Sequence, residues 1–116
     1  MATLTVRLAL VQLALIFACA NAILAGELTP AQVEGRAILK NKCGRCHAID
    51  VDGSSPLAKA PLFRNLYKKF SVEELRMRLS EGVVSHYRGM PQIDFTSEEI
   101  DRIIDYLDVL TAGAPR

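Results

Sequence analysis

Two cysteines, a histidine and the spacing between them carry the chemistry of this 116-residue chain. The run Cys43-Gly44-Arg45-Cys46-His47 places two thiols three positions apart and an imidazole directly after the second. This is the C-x-x-C-H arrangement of covalent c-type haem attachment. The spacing has a chemical reason. Thiols one turn of backbone apart reach the two vinyl groups along one side of a porphyrin, and the next residue brings an imidazole to the iron. Cys43 and Cys46 are therefore the candidate attachment residues for one haem c, and His47 is the candidate axial iron ligand.

Other uses of a C-x-x-C pair need partners that this chain lacks. A redox dithiol follows a strand in a βαβ unit, and no alternating strand pattern lies near Cys43. Zinc needs a fourth strong ligand at suitable spacing. The third cysteine, Cys19, falls in the leader, and His86 is the only histidine besides His47.

Residues 1–22 read as a cleavable secretory signal peptide. Arg7 gives a positive start, Leu8 to Phe17 (LALVQLALIF) an apolar stretch of suitable length, and Ala18-Cys19-Ala20 or Ala20-Asn21-Ala22 a small-residue cleavage site. An uncleaved anchor is one alternative, for which the run is short against the roughly 20 residues of a bilayer span. Lipidation at Cys19 is another, and Phe17 fits its sequence requirement poorly. Cleavage predicts a periplasmic protein with no stable membrane insertion and one domain over residues 23–116.

The 14 basic residues stand against 13 acidic ones, and losing Arg7 with the leader brings the two into balance. That excludes the concentrated basic excess of a nucleic-acid binder and leaves partner choice to local patches. A mature chain of roughly 90 residues buries only a modest core. A haem at its centre is expected to supply the missing apolar volume, so the haem-free chain should fold poorly.

Three helices position these residues. Thr29-Pro30-Ala31-Gln32 combines an N-cap threonine, a proline at the first helical position and a glutamine in capping-box position. Its helix runs to about Lys42 and delivers the chain into the motif. Ser71-Val72-Glu73-Glu74 predicts a second capping box and a helix with Val72, Leu75 and Leu79 on one face, stopped at Gly82. Thr96-Ser97-Glu98-Glu99 opens a third, whose Ile100, Ile103, Ile104, Leu107 and Leu110 keep helical spacing. Pro61 to Tyr67 predicts another short helix with Leu62, Leu66 and Phe63. Asp50 to Lys59 and Ser85 to Asp94 read as loops, the second broken by Gly89 and Pro91. The tail after Leu110 is expected to fray.

This order, with a Met-Pro loop before a last helix that ends in Tyr-Leu, resembles small monohaem class I cytochromes c of the bacterial periplasmic type. The likeness covers essentially all of the mature chain. It implies an all-α fold in which N- and C-terminal helices cross around a covalently bound haem. Gly35 stands where the family has a small residue at that crossing, and Tyr106-Leu107 where it has an aromatic. Leu39 takes a place often held by phenylalanine, a departure that affects packing alone. Gly89-Met90-Pro91 is similar to the family's axial-methionine loop, which makes Met90 the candidate sixth iron ligand. Its place on a glycine/proline loop just before the last helix agrees. Pro61 is similar to the proline whose carbonyl accepts a hydrogen bond from the ligating histidine. Met77, inside the second helix, reads as a packing or surface residue. His86, four residues before Met90, is the alternative sixth ligand and otherwise an exposed loop histidine near the haem edge.

A His/Met-ligated iron has both axial positions filled, so its work is one-electron transfer and not catalysis on a substrate. The thioether and an apolar surround both favour the ferrous state and raise the potential. The partners implied are other redox proteins, docked over the haem edge. Some of Lys40, Lys42, Arg45, Arg64, Lys68 and Lys69 are expected to ring that edge, and one of these cations, or Tyr87 or Arg88, to bind a haem propionate. The same residues fit a monomeric carrier and a permanent electron-transfer subunit of a dehydrogenase or oxidase complex. A haem enzyme or gas sensor would require a displaceable sixth ligand.

Overall fold

The computed structural model describes residues 27–82 and 89–112. These form three α-helices, α1 (Pro30–Cys43), α2 (Val72–Ser80) and α3 (Ser97–Leu110), and a 3₁₀ turn over Phe63–Lys68, with no strand among the described residues. The leader, His86, Tyr87 and Arg88 lie outside the described residues, as does most of the tail whose fraying the sequence predicts.

Helix α1 begins as its capping residues dictate. Thr29 Oγ1 accepts from the Gln32 amide at 3.3 Å while Gln32 Oε1 accepts from the Thr29 amide at 2.8 Å. Lys40 and Lys42 fall in the last turn, where cations complement the carbonyl end of the helix dipole. The helix therefore continues into Cys43, and Gly44 closes it by donating to the Leu39 and Lys40 carbonyls. Thr96 and Glu99 build the same reciprocal cap at the start of α3.

Helix α2 departs from the expectation at its start. Ser71 Oγ accepts from the Glu74 amide at 3.2 Å, but the reciprocal bond is missing. The Glu74 carboxylate turns instead to Arg78 one turn on, with bonds to its Oε1 at 3.0 and 3.3 Å, an i,i+4 pair that draws the side chain away from the cap. Gly82 follows the helix with φ +76° and is buried. A Cβ there would sit 3.1 Å from Asp94 Oδ1 and 3.3 Å from Gln92 Nε2.

The expected short helix over Pro61–Tyr67 is displaced and tightened into the 3₁₀ turn. An α-helix from Pro61 would direct the Asn65 amide to the Pro61 carbonyl. That carbonyl is taken by His47, and Asn65 donates to Leu62 at 3.1 Å instead. The Phe63 amide is likewise held by the Ala48 carbonyl at 3.0 Å.

Helix α3 packs along α1 and presents Ile100, Ile103, Ile104, Tyr106, Leu107 and Leu110 to the interior. Leu39 from α1, Ile49 from the loop, Phe63 from the turn and Leu75 from α2 complete the core. The two long helices meet at Gly35. A Cβ there would run into the Arg102 carbonyl oxygen and lie 3.1 Å from Tyr106 Cβ. Glycine is the residue that lets the backbones approach this closely.

The loop after the motif is tied down by charge. Arg36 grips the Asp50 carboxylate with two bonds, 2.7 and 3.1 Å. The Tyr106 hydroxyl donates to Ile49 O and Asp50 Oδ1, both at 3.0 Å. Arg64 donates to the Asp50 and Gly53 carbonyls at 3.3 and 2.9 Å. Arg36 holds the Asp50 carboxyl below its ordinary range, and burial, with Asp50 beside it, pushes the Tyr106 phenol up to about 12.

Candidate haem site

The motif lies where α1 runs out. The amides of Cys46 and His47 both donate to the Cys43 carbonyl, at 3.1 and 3.0 Å, so the chain turns once and brings Cys43, Cys46 and His47 to one side. The loop returns across them: Leu57 donates to the Cys46 carbonyl at 3.1 Å, and the Ala48 amide donates to Ser55 Oγ at 3.0 Å.

His47 Nδ1 lies 2.8 Å from the Pro61 carbonyl oxygen. A carbonyl can only accept, so Nδ1 carries the proton and Nε2 keeps its lone pair. This is the tautomer a metal ligand needs, and the carbonyl bond also fixes the ring's direction. The Phe63 ring packs beside the imidazole, centroids 4.9 Å apart and tilted by 46°. Both thiols are free, and burial pushes the Cys43 thiol up to about 11.

These groups face a cavity of about 860 Å³. Its walls hold Cys43, Cys46 and His47 on one part and Gly89, Met90, Pro91 and Ile93 on another, joined by Asn41, Lys42, Arg45, Leu57, Lys59, Ala60 and Pro61. The volume falls in the upper part of the range for cofactor sites, about 300–1,000 Å³. The donor set fits a covalently held haem: two thiols for the vinyl carbons, an imidazole with a free Nε2 and a thioether share one cavity. The zinc alternative finds no support among the described residues, where no three of His, Cys, Asp and Glu gather as a metal site.

Cys43, Cys46, His47 and Met90 all line this cavity, while His86, Tyr87 and Arg88 lie outside the described residues. Met77 is 53 % exposed on α2 and takes no part in the cavity wall. The basic residues divide. Arg64 is engaged by the loop, Lys42 by Glu99 at 2.8 Å, and Lys40, Lys68 and Lys69 stand away from the cavity wall. Arg45 remains on it, joined by Lys59, which sequence reasoning passed over as one more loop lysine. Its position two residues before Pro61 was the available signal. Leu57 and Ile93 were also missed, because isolated apolar residues in loops show no periodicity.

No curated protein and no solved structure matches the chain. Residues 30–107, from the first residue of α1 almost to the end of α3, match the family model described as cytochrome c oxidase, cbb3-type, subunit III. With that match and this site, the chain belongs to that family of c-type cytochromes, with their all-α fold, covalently attached haem c and work in electron transfer.

Proposed function

We propose that this chain is a periplasmic monohaem cytochrome that carries single electrons between redox proteins through an iron ligated by His47 and Met90. One observation carries the reading: imidazole and thioether line the same cavity as the two attachment thiols. The haem supplies the one-electron ferrous/ferric couple. Cys43 and Cys46 would hold it by thioether bonds. His47, oriented by Pro61, offers Nε2, and Met90 offers its sulfur. An iron held by both groups would leave no position for a substrate. Leu57, Ala60, Pro61 and Ile93 would put apolar groups against the haem, and an apolar surround disfavours the more highly charged ferric site.

Electron exchange then occurs at the cavity mouth, where Arg45 and Lys59 stand without a carboxylate among the lining residues. A redox partner with an acidic rim fits that edge. Such encounters bury less than about 1,200 Å² and release quickly.

The test is the absorption spectrum of the oxidised protein against a Met90→Ala variant. The parent is expected to show the weak long-wavelength band of a methionine–iron bond, and the variant to lack it. A parent without that band would overturn the ligand assignment. A second reading, membership in an oxidase complex as a permanent electron-transfer subunit, is favoured by the description of the matching family. Gel filtration of native protein from its source separates the two, since a small monomeric peak rules out the permanent subunit.

A further inference from the structure

The Lys42 side chain reaches into a segment that neither the attachment chemistry nor the docking face explains. Its ammonium donates to Glu99 Oε1 at 2.8 Å and to the Asp94 carbonyl at 3.3 Å, and lies 4.6 Å from the centre of the Phe95 ring. Glu99 in turn accepts from the Thr96 amide at 2.9 Å through its other oxygen. Three consecutive residues, 94 to 96, are thus gripped by one lysine and its carboxylate partner. On their other side, buried Gly82 lets Asp94 and Gln92 pack where a side chain would intrude.

The segment so held is the continuation of the loop that carries Met90. Three residues separate Met90 from Asp94, and Ile93 among them lines the cavity with Met90. Lys42 itself is the α1 residue next to Cys43. The lysine therefore bridges the helix that carries the attachment thiol and the segment that carries the thioether. Both members of the ion pair are largely shielded, with side chains 31 % and 27 % exposed, and the ammonium's contacts with Phe95 and a backbone carbonyl add to a simple surface pair.

We propose that Lys42 is a positioning residue for the sixth ligand: it fixes the exit of the Met90 loop to the cysteine-bearing end of α1 and so keeps the sulfur seated. The proposal rests on the reading of Met90 as iron ligand. Without the grip, the loop spends more time displaced, and an external ligand gains access in proportion to the displaced fraction. The ferric state shows this first, because thioether sulfur holds ferrous iron more firmly.

The experiment is a titration of the oxidised holoprotein with free imidazole, followed by loss of the methionine–iron band, in the parent and in Lys42→Ala, Lys42→Arg and Glu99→Gln variants. Arg36→Ala serves as the control, since it breaks another ion pair of α1, one made to Asp50 and, among the described residues, not to the segment after Met90. Lys42→Ala is expected to bind imidazole about tenfold more tightly, as a tenfold rise in the displaced fraction requires. Glu99→Gln should move the same way, and Lys42→Arg should restore most of the parent's resistance. Arg36→Ala should leave imidazole affinity at the parent value even where it lowers the unfolding midpoint. A parent that shows the band, with Lys42→Ala binding imidazole like the parent, overturns the positioning role alone. So does an Arg36→Ala affinity raised as much as that of Lys42→Ala, which would reduce the effect to general loosening. A parent with no band overturns this proposal together with the ligand reading beneath it.

Discussion

At the scale of single residues, the haem motif was legible because its information is local: five consecutive residues carry two thiols and an imidazole at the family's spacing. What surrounds it was not. The bond from His47 to Pro61 joins residues 14 apart and was reached only through family likeness. The Asp50 cluster was invisible, since Arg36, Tyr106 and Arg64 read separately as a helix charge, a helix aromatic and a surface cation. Tyr106 is the member whose loss is most readable. Its hydroxyl is buried and donates to Ile49 and Asp50, so Tyr106→Phe leaves a buried carbonyl without its donor. Denaturant unfolding of the holoprotein should show a loss of about 1–2 kcal/mol at neutral pH. The same phenol sets a pH dependence. Its folded pKa, about 12, lies above the ordinary value of 10.0. From about pH 10 the unfolded chain gives up this proton while the folded one keeps it, so the phenol's contribution to stability is full below pH 10 and lost as pH rises toward 12. Stability of the parent should therefore fall more steeply over that window than stability of Tyr106→Phe. Parallel curves for the two proteins would show that the buried phenol does not titrate differently on unfolding.

At the scale of elements, helix existence was written in the capping residues and the apolar spacing of α3. Boundaries and helix type were settled by contacts from elsewhere. The 3₁₀ turn is the clear case: nothing in Pro61 to Lys68 announces that His47 claims the carbonyl which an α-helix would have used. The half-formed cap of α2 is another, decided by Arg78 and its hold on Glu74. The packing of α1 on α3 was legible only as a likeness, through Gly35 and Tyr106, and the structure supplies its cause in the missing Cβ. Gly35→Ala tests that cause. A methyl group has nowhere to go except into the Arg102 carbonyl, so the helices must separate along their shared face. Alanine favours an isolated helix over glycine by roughly 1 kcal/mol, yet overpacking of this kind costs about 1–3 kcal/mol or more. The net effect should be destabilising, with a lower unfolding midpoint and a weakened helical signal on heating. A Gly35→Ala protein as stable as its parent would mean that α1 and α3 do not approach as closely as described.

At the scale of the whole molecule, overall charge says little and its distribution says much. Basic and acidic residues nearly balance, but they are sorted. Among the described residues the cavity wall carries Lys42, Arg45 and Lys59 and no carboxylate, whereas α3 carries Glu98, Glu99, Asp101, Asp105 and Asp108 against Arg102 alone. Sequence reading expected only some of six cations at the haem edge; of these Lys42 and Arg45 line the cavity, Lys42 already held by Glu99, while Arg64 bonds to the loop. The field at the mouth falls to Arg45 and Lys59, and a partner with an acidic docking face is steered toward it. Exposed charges are screened beyond about 10 Å at 0.1 M salt, so the association rate with such a partner should fall as salt is added while the step within the complex stays unchanged. Stopped-flow reduction by an acidic redox protein over a salt series measures both. Arg45→Ala combined with Lys59→Ala should lower the rate at low salt and flatten its salt dependence, and the two curves should converge at high salt, where steering is lost in the parent too. The methionine–iron band should stay at the parent's, since neither cation belongs to the proposed ligand set. A salt slope equal to the parent's in the double variant would place the docking face elsewhere on the surface and leave the iron ligands as they are.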